Sequence, residues 1–314
     1  MQAFAIGIDI GGTNTVIGKI DRQGRVLQRS ALKTAAYPDI ADYIDALGSA
    51  VLQTIGPDTA ACAGVCIGAP NASYYTGEIV QAANLPWKGR VPLKALLEQR
   101  LGGMPVTLTN DANTAAMGEM LYGAAKHMRD FIVITLGTGV GSGIVCNGEL
   151  VYGREGFAGE LGHVIVKPHG RACGCGRRGC LETYCSATGV ARTARQMLRR
   201  TDEDSLLRQT APDDITSKTV YEAAVQGDAL ACRIFAFTGK VLGEALANFI
   251  AFSSPEAIIL FGGLALAGEL LLQPVREAID RNVLAVYRGR TDLIVSTIPS
   301  QDAAILGASA LAWK

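Results

Sequence analysis

The chain carries no excess of either charge. Its 314 residues hold 29 Lys and Arg against 29 Asp and Glu, a net of zero. That balance gives no support to electrostatic capture of nucleic acid or of an anionic membrane. Long apolar runs are also lacking. The longest uncharged one, Ala257–Gly268, is too short to span a bilayer and is broken by Gly262-Gly263. The opening MQAFAIGIDIGG has no basic segment running into an apolar stretch and a small-residue cleavage site, so no signal peptide is expected. The absence of Cys-x-x-Cys argues against a redox pair, and the absence of Gly-x4-Gly-Lys-Ser/Thr excludes a P-loop enzyme. GTGVGSG at 137–143 has the letters of a dinucleotide fingerprint, but it leads into an expected strand, Gly143–Cys146, where that fold needs a helix.

What is present points to a two-domain α/β protein. With 49% hydrophobic residues the chain can bury a large core, and its length suits two domains. FAIGIDIGGTNTVIGKIDRQGRVLQRS reads as two apolar strands around a Gly-Gly turn, then a polar turn and a third strand. FIVITLGTGVGSGIVCNGELVYG, from Phe131, repeats that plan about 126 residues later, with Asp9–Thr13 opposite Thr135–Gly139. A duplicated three-stranded meander opening each domain is the expectation. Between the copies, helices are expected at Tyr37–Ile55, Leu93–Leu101 and Ala112–Tyr122, the last capped by Asn110 or Asp111, with strands at Ala63–Gly68 and Val106–Thr109. Downstream, helices are expected at Gly189–Arg200, Thr219–Val225, Ala229–Phe252 and Asp302–Lys314, with strands at AIILF (257–261) and Leu293–Thr297.

ELGHVIVKPHGRACGCGRRGCLET gathers one imidazole and three thiols, His163, Cys173, Cys175 and Cys180, a complete tetrahedral set for a structural zinc. Glycines 170, 174, 176 and 179 allow the tight turns this needs, and Arg171, Arg177 and Arg178 can offset the thiolate charge. Cys62, Cys66, Cys146 and Cys232 stand among apolar residues and read as small core residues, and Cys185 as a spare thiol. Thiolate ligands and no secretion signal place the protein in a reducing cytoplasm.

Three glycine turns follow apolar strands: Gly11-Gly12-Thr13-Asn14, Gly137-Thr138-Gly139-Val140-Gly141 and Gly262-Gly263. Each exposes backbone N–H groups suited to phosphate. Asp9 sits inside an apolar strand, where a carboxylate is costly unless it meets donors or a cation, and a nucleotide-bound magnesium would serve. Asp111 ends a strand, where α/β folds place ligands. An aspartate there is most often a helix cap; the neighbouring turns and acids suggest chemistry.

Together these segments resemble the ROK family of sugar kinases and sugar-responsive repressors, over essentially the whole chain. The family motifs stand here as Asp9-Ile10-Gly11-Gly12-Thr13-Asn14, Asn84-Leu85-Pro86-Trp87, Asn110-Asp111-Ala112-Asn113, Leu136–Gly141, Gly159-Glu160-Leu161-Gly162-His163, and Cys173-Gly174-Cys175-Gly176 through Gly179-Cys180-Leu181-Glu182. One departure is Gly68-Ala69-Pro70-Asn71, where the family carries Pro-Gly. The resemblance implies an actin-like (ribonuclease H-like) ATPase fold. Its small lobe would comprise 1–118 plus 301–314, with the final helix packed back on it. The large lobe, 119–300, would carry the zinc loop, with a sugar cleft between the two.

The same resemblance, nearest the glucokinase branch, implies ATP-dependent phosphorylation of glucose to glucose 6-phosphate, a step of carbohydrate metabolism and glycolysis. Asp111 would be the general base. Asn84, Asn110, Asp111, Glu160, His163 and Glu182 would bind sugar hydroxyls. Asp9, Gly11, Gly12, Thr13, Asn14, Thr138, Gly139, Gly141, Gly262 and Gly263 would serve magnesium–ATP. If zinc takes one nitrogen of His163, the other must donate, and a sugar hydroxyl is its natural acceptor. Relatives handle fructose, mannose, allose and N-acetylhexosamines with the same motifs, so these remain alternative acceptors. A sugar-sensing regulator is a further alternative, but the first phosphate strand begins at residue 4, before any DNA-binding module would fit. A homodimer or homotetramer is expected.

Overall fold

The structure, a computed structural model, describes residues 2–82, 84–299 and 302–313. In chain order its strands are β1 (Phe4–Ile10), β2 (Thr15–Asp21), β3 (Val26–Leu32), β4 (Cys62–Gly68), β5 (Ile79–Val80), β6 (Arg90–Val91), β7 (Val106–Thr109), β8 (Phe131–Leu136), β9 (Val140–Cys146), β10 (Glu149–Leu150), β11 (Ala257–Phe261) and β12 (Asp292–Val295). The helices are α1 (Ile40–Ile55), α2 (Leu93–Arg100), α3 (Asp111–Leu121), α4 (Glu182–Cys185), α5 (Ala187–Leu198), α6 (Ser217–Val225), α7 (Ala229–Ser253), α8 (Glu269–Asn282) and α9 (Ala303–Ala310).

The chain forms two compact units. The first comprises Met1–Arg129, Gly143–Gly159 and Thr297–Lys314; the second comprises Asp130–Ser142 and Glu160–Ser296. The lobe limits expected at Met1, Ser300, Gln301 and Lys314 lie outside the described residues.

In the first unit a five-stranded sheet runs β3-β2-β1-β4-β7. β1 pairs antiparallel with β2 and parallel with β4, so it is central, and all its residues but Asp9 are buried. A strand covered on both faces reads as a continuous apolar run, as FAIGIDI does. On α1, Tyr43, Leu47, Val51 and Ile55 recur at helical spacing and bury one face, while Asp39 caps the start by accepting from Ala41 N. Ile305 and Leu306 of α9 form a small core with Ile20 of β2.

A second five-stranded sheet has the order β10-β9-β8-β11-β12. Its plan matches the first sheet: a three-stranded meander followed by two parallel strands. The duplication seen in the sequence is therefore a duplication of topology. The unit boundary falls within β9, after Ser142. In the second unit α7 is 25 residues long and apolar enough to cross a membrane by length and composition, but 67% of its apolar window is buried among protein, as in a core helix.

Two expectations about cysteines and arginines fail. Cys146 is exposed rather than a core residue, because it is the last residue of β9. Cys66 is buried and Cys62 and Cys232 are half-buried. Arg171 does not serve the thiolates: its guanidinium turns inward to donate to Thr183 O and Gly189 O, Thr193 Oγ1 and Gln196 Oε1.

Candidate functional site

The site residues of the first unit hang on the ends of β1, β4 and β7. Asp9 stands opposite Val16 and Gly68 in the sheet. The turn that follows is closed by Gly11 N donating to Asn14 O at 3.0 Å. A Cβ on Gly12 would fall 2.2 Å from Asn84 O, so only glycine lets the two backbones approach. Asn84 is exposed, but the motif around it is pegged: Leu85 and Trp87 are buried, and Trp87 Nε1 donates to Tyr37 O at 3.1 Å while its ring meets Tyr43 at 4.3 Å.

Asn110 caps α3, its Oδ1 accepting from Ala112 N at 2.7 Å; Asp111, the first helical residue, shares that donor through its own Oδ1 at 2.8 Å. Asp111 thus shares the capping of α3 with Asn110. Burial pushes the Asp9 carboxyl up to about 6, and the negative charge of Asp111 adds to the rise. Asp111 is raised too, chiefly by the protein packed around it, with the Ala112 N–H pulling the other way.

At the Pro70-Asn71 departure the backbone turns through a left-handed residue. Asn71 has φ 52°, the left-handed region that glycine favours and that asparagine tolerates best among other residues. Its Nδ2 also donates to Val80 O at 3.1 Å and Gln81 O at 3.3 Å, bonds no glycine could make.

In the second unit the turn after β8 is tied to the start of α5: Ala187 N donates to Gly137 O at 2.8 Å and Thr188 Oγ1 to Thr138 O at 2.9 Å. Glu182 Oε2 accepts from Val140 N at 3.1 Å, and Gly141 N donates to Thr135 Oγ1 at 3.0 Å. Gly139 leaves room for that carboxylate, since a Cβ there would fall 2.3 Å from Glu182 Oε2. Gly262, at φ 106°, turns the chain out of β11 into the helical turn from Gly263. Beside it opens a cavity of about 460 Å3 lined by Lys218, Tyr221, Phe235, Leu264 and Leu266, which the sequence reading missed because its walls come from three separate segments.

His163, Cys173, Cys175 and Cys180 converge as expected, with all four ligand atoms within 4.8 Å of one another. Cys173 Sγ lies 3.6 Å from His163 Nδ1, and Cys175 Sγ 3.7 Å from Cys180 Sγ. Two sulfurs bound tetrahedrally at about 2.3 Å stand about 3.8 Å apart, so the donor set fits zinc. The loop is folded by Cys173 N donating to Arg177 O and Gly176 N to Cys173 O. His163 Nε2, the nitrogen turned away from Cys173, lies 4.0 Å from Glu160 Oε2.

Residues 5–314 match the ROK family. This chain belongs to that family. It is 35% identical to a glucokinase of Thermotoga maritima over 309 residues, 98% of this chain and 96% of the relative. It is 32% identical to an N-acetylmannosamine kinase of Salmonella heidelberg, covering 98% and 97%. A crystal structure of a Streptomyces griseus ROK glucokinase in complex with glucose and AMPPNP superposes with a TM-score of 0.81 at 36% identity, covering 98% of this chain and 99% of that one. The fold is therefore the actin-like ATPase fold of the ROK sugar kinases, and this family member stands among those kinases.

Proposed function

We propose that the chain transfers the γ-phosphoryl group of ATP to a hexose, with glucose as acceptor. The observation that carries this reading is Asp111, a carboxylate at the start of α3 with a raised pKa, in the same unit as Asp9 and the Gly11–Asn14 turn. A base shifted toward neutrality is better matched to a sugar hydroxyl than an ordinary aspartate. Asp111 takes the proton as the hydroxyl oxygen attacks phosphorus, and the bond to the leaving ADP oxygen breaks. Asn84, Asn110, Glu160, His163 and Glu182 bind the other hydroxyls, paired amides and carboxylates being suited to polyols.

The backbone N–H groups of Gly12–Asn14 and of Thr138 and Gly139 receive the phosphates, those of Gly11, Val140 and Gly141 being already bonded within the turns, and the cavity beside Gly262-Gly263 takes the base of ATP, against Tyr221 and Leu266. Magnesium carried by the nucleotide would supply charge neutralisation, and Asp9 is the residue that would face it, since the mutual repulsion of Asp9 and Asp111 favours a cation there. Zinc on His163, Cys173, Cys175 and Cys180 is structural, since four protein ligands leave no open position. With one His163 nitrogen on such an ion, the other would carry a proton and could donate it to a sugar hydroxyl. A cytoplasmic homo-oligomer is part of the same reading.

The test is ADP release coupled to a reporter, over glucose, fructose, mannose, allose and N-acetylhexosamines. Glucose should give the highest kcat/KM. A preference for an N-acetylhexosamine would reassign the acceptor, and no turnover on any sugar would refute the kinase.

A further inference from the structure

Between α5 and the cysteine loop lies a cavity of about 580 Å3 with a row of arginines on one wall, Arg192, Arg195 and Arg199. Thr183, Thr188 and Gln196 add polar groups. Among the described residues none of the three arginines pairs with a carboxylate. Arg192 Nη1 donates to Ala172 O and Arg195 Nε to Ala191 O, both backbone acceptors. The one acid on the wall, Glu182, already accepts from Val140 N. Behind the row the buried Arg171 adds a fourth cation, likewise bonded only to neutral oxygens, Gln196 Oε1 among them. Arg195 and Arg199 also line an adjoining cavity of about 250 Å3 that includes Arg208.

So many unneutralised guanidinium groups at one wall repel one another unless an anion joins them. Positions 192, 195 and 199 share a helix face and span roughly 10 Å, more than one phosphoryl group covers. Guanidinium forks match phosphoryl oxygens two at a time. The geometry points to a binding site for a small molecule bearing two phosphoryl groups, held on the arginine row of α5 and its C-cap residue Arg199. Such a ligand is a sugar bisphosphate or inorganic pyrophosphate; the two share the recognised chemistry. Because Cys173 and Glu182 also line the cavity, occupancy stiffens the loop that carries the zinc ligands.

The test is calorimetric titration of the zinc-loaded protein with inorganic pyrophosphate, with fructose 1,6-bisphosphate and with orthophosphate, each with and without saturating AMPPNP. Of the two bisphosphoryl probes, the tighter identifies the source. One site per chain should bind at least one of them, roughly tenfold or more tighter than orthophosphate. The variant R192Q/R195Q/R199Q should lose that affinity by at least about tenfold while keeping its zinc and its melting temperature. AMPPNP should leave the binding in place. The proposal is overturned if neither probe binds up to about 10 mM, if the variant binds as the parent does, or if AMPPNP abolishes binding, which would put the anion in the nucleotide site. Should the triple variant fail to fold, R195Q alone decides, with a several-fold loss expected and no loss overturning the site. The inference stands apart from the sugar reading: a chain that binds these anions but phosphorylates no hexose refutes only the latter.

Discussion

Glu182 accepts the backbone N–H of Val140 through Oε2 at 3.1 Å, while its Oε1 lies 3.6 Å from the zinc-set thiol of Cys173. One carboxylate thus joins the cysteine loop to the glycine turn proposed to hold phosphate. It should serve both substrates. Glu182→Gln keeps an acceptor for Val140 N but loses the charge, and is expected to raise the KM for glucose about tenfold with a smaller effect on ATP. Glu182→Ala frees the turn as well and should raise both KM values. Two-substrate kinetics separate the cases; an alanine variant with an unchanged KM for ATP would remove the turn from the account.

The Asp9–Asp111 pair is expected to set the acid limb of activity. Both groups must be ionised, and both are raised, Asp9 to about 6. Activity should therefore fall as pH drops through about 6, above the range of ordinary carboxylates, with apparent values that belong to the pair. The stability sign is opposite to that of a salt-bridged acid. Between roughly 4 and 6 the folded state holds more protons than the unfolded chain, so Asp9 makes the protein less stable as pH rises through that window, with no further change above it. In Asp111→Asn the repulsion is gone, and the acid limb of AMPPNP binding should move to lower pH. A limb that stays in place would show that Asp111 does not act on Asp9.

Cys175→Ser should release zinc and lower glucose affinity together, although no cysteine is proposed to touch sugar. Elemental analysis paired with glucose and AMPPNP titrations checks this: about one zinc per parent chain is expected, with AMPPNP binding less affected than glucose. A zinc-free variant that binds glucose normally would separate the cluster from the sugar site.

Asn71 makes a two-part prediction. Asn71→Gly keeps the left-handed backbone and loses only the bonds to Val80 and Gln81; Asn71→Ala loses the bonds and also strains the backbone. The alanine variant should be the less stable by about 1 kcal/mol in denaturant melts. Equal stability would mean that the φ of Asn71 carries no strain for alanine.

The zinc set and the repeated meander were legible because each is written locally, as ligand spacing in one loop and as two strand–glycine–strand passages. The cap at Asn110 was legible for the same reason. The Glu182–Val140 bond was not, since its partners are 42 residues apart and neither looks unusual alone. Arg171 sits beside the cysteines in sequence, yet the fold aims it at carbonyls of α4 and α5, where burial lowers its pKa to about 10. Cys146 follows Ile144 and Val145 and shares their apolar look, but the strand ends there and leaves it outside. Asn71 read as a departure from the family pattern because letters do not show φ.

The most direct test of the central claim is phosphoryl transfer by the parent and by Asp111→Asn, measured beside glucose binding to each. Asparagine keeps the size of the side chain and an oxygen for Ala112 N, but it cannot take a proton. Glucose-dependent ADP release by the parent is expected, with a loss of roughly 100-fold or more in kcat for the variant and glucose affinity within a few-fold of the parent. Turnover within tenfold of the parent, with glucose still bound, would contradict the role of Asp111 as the base.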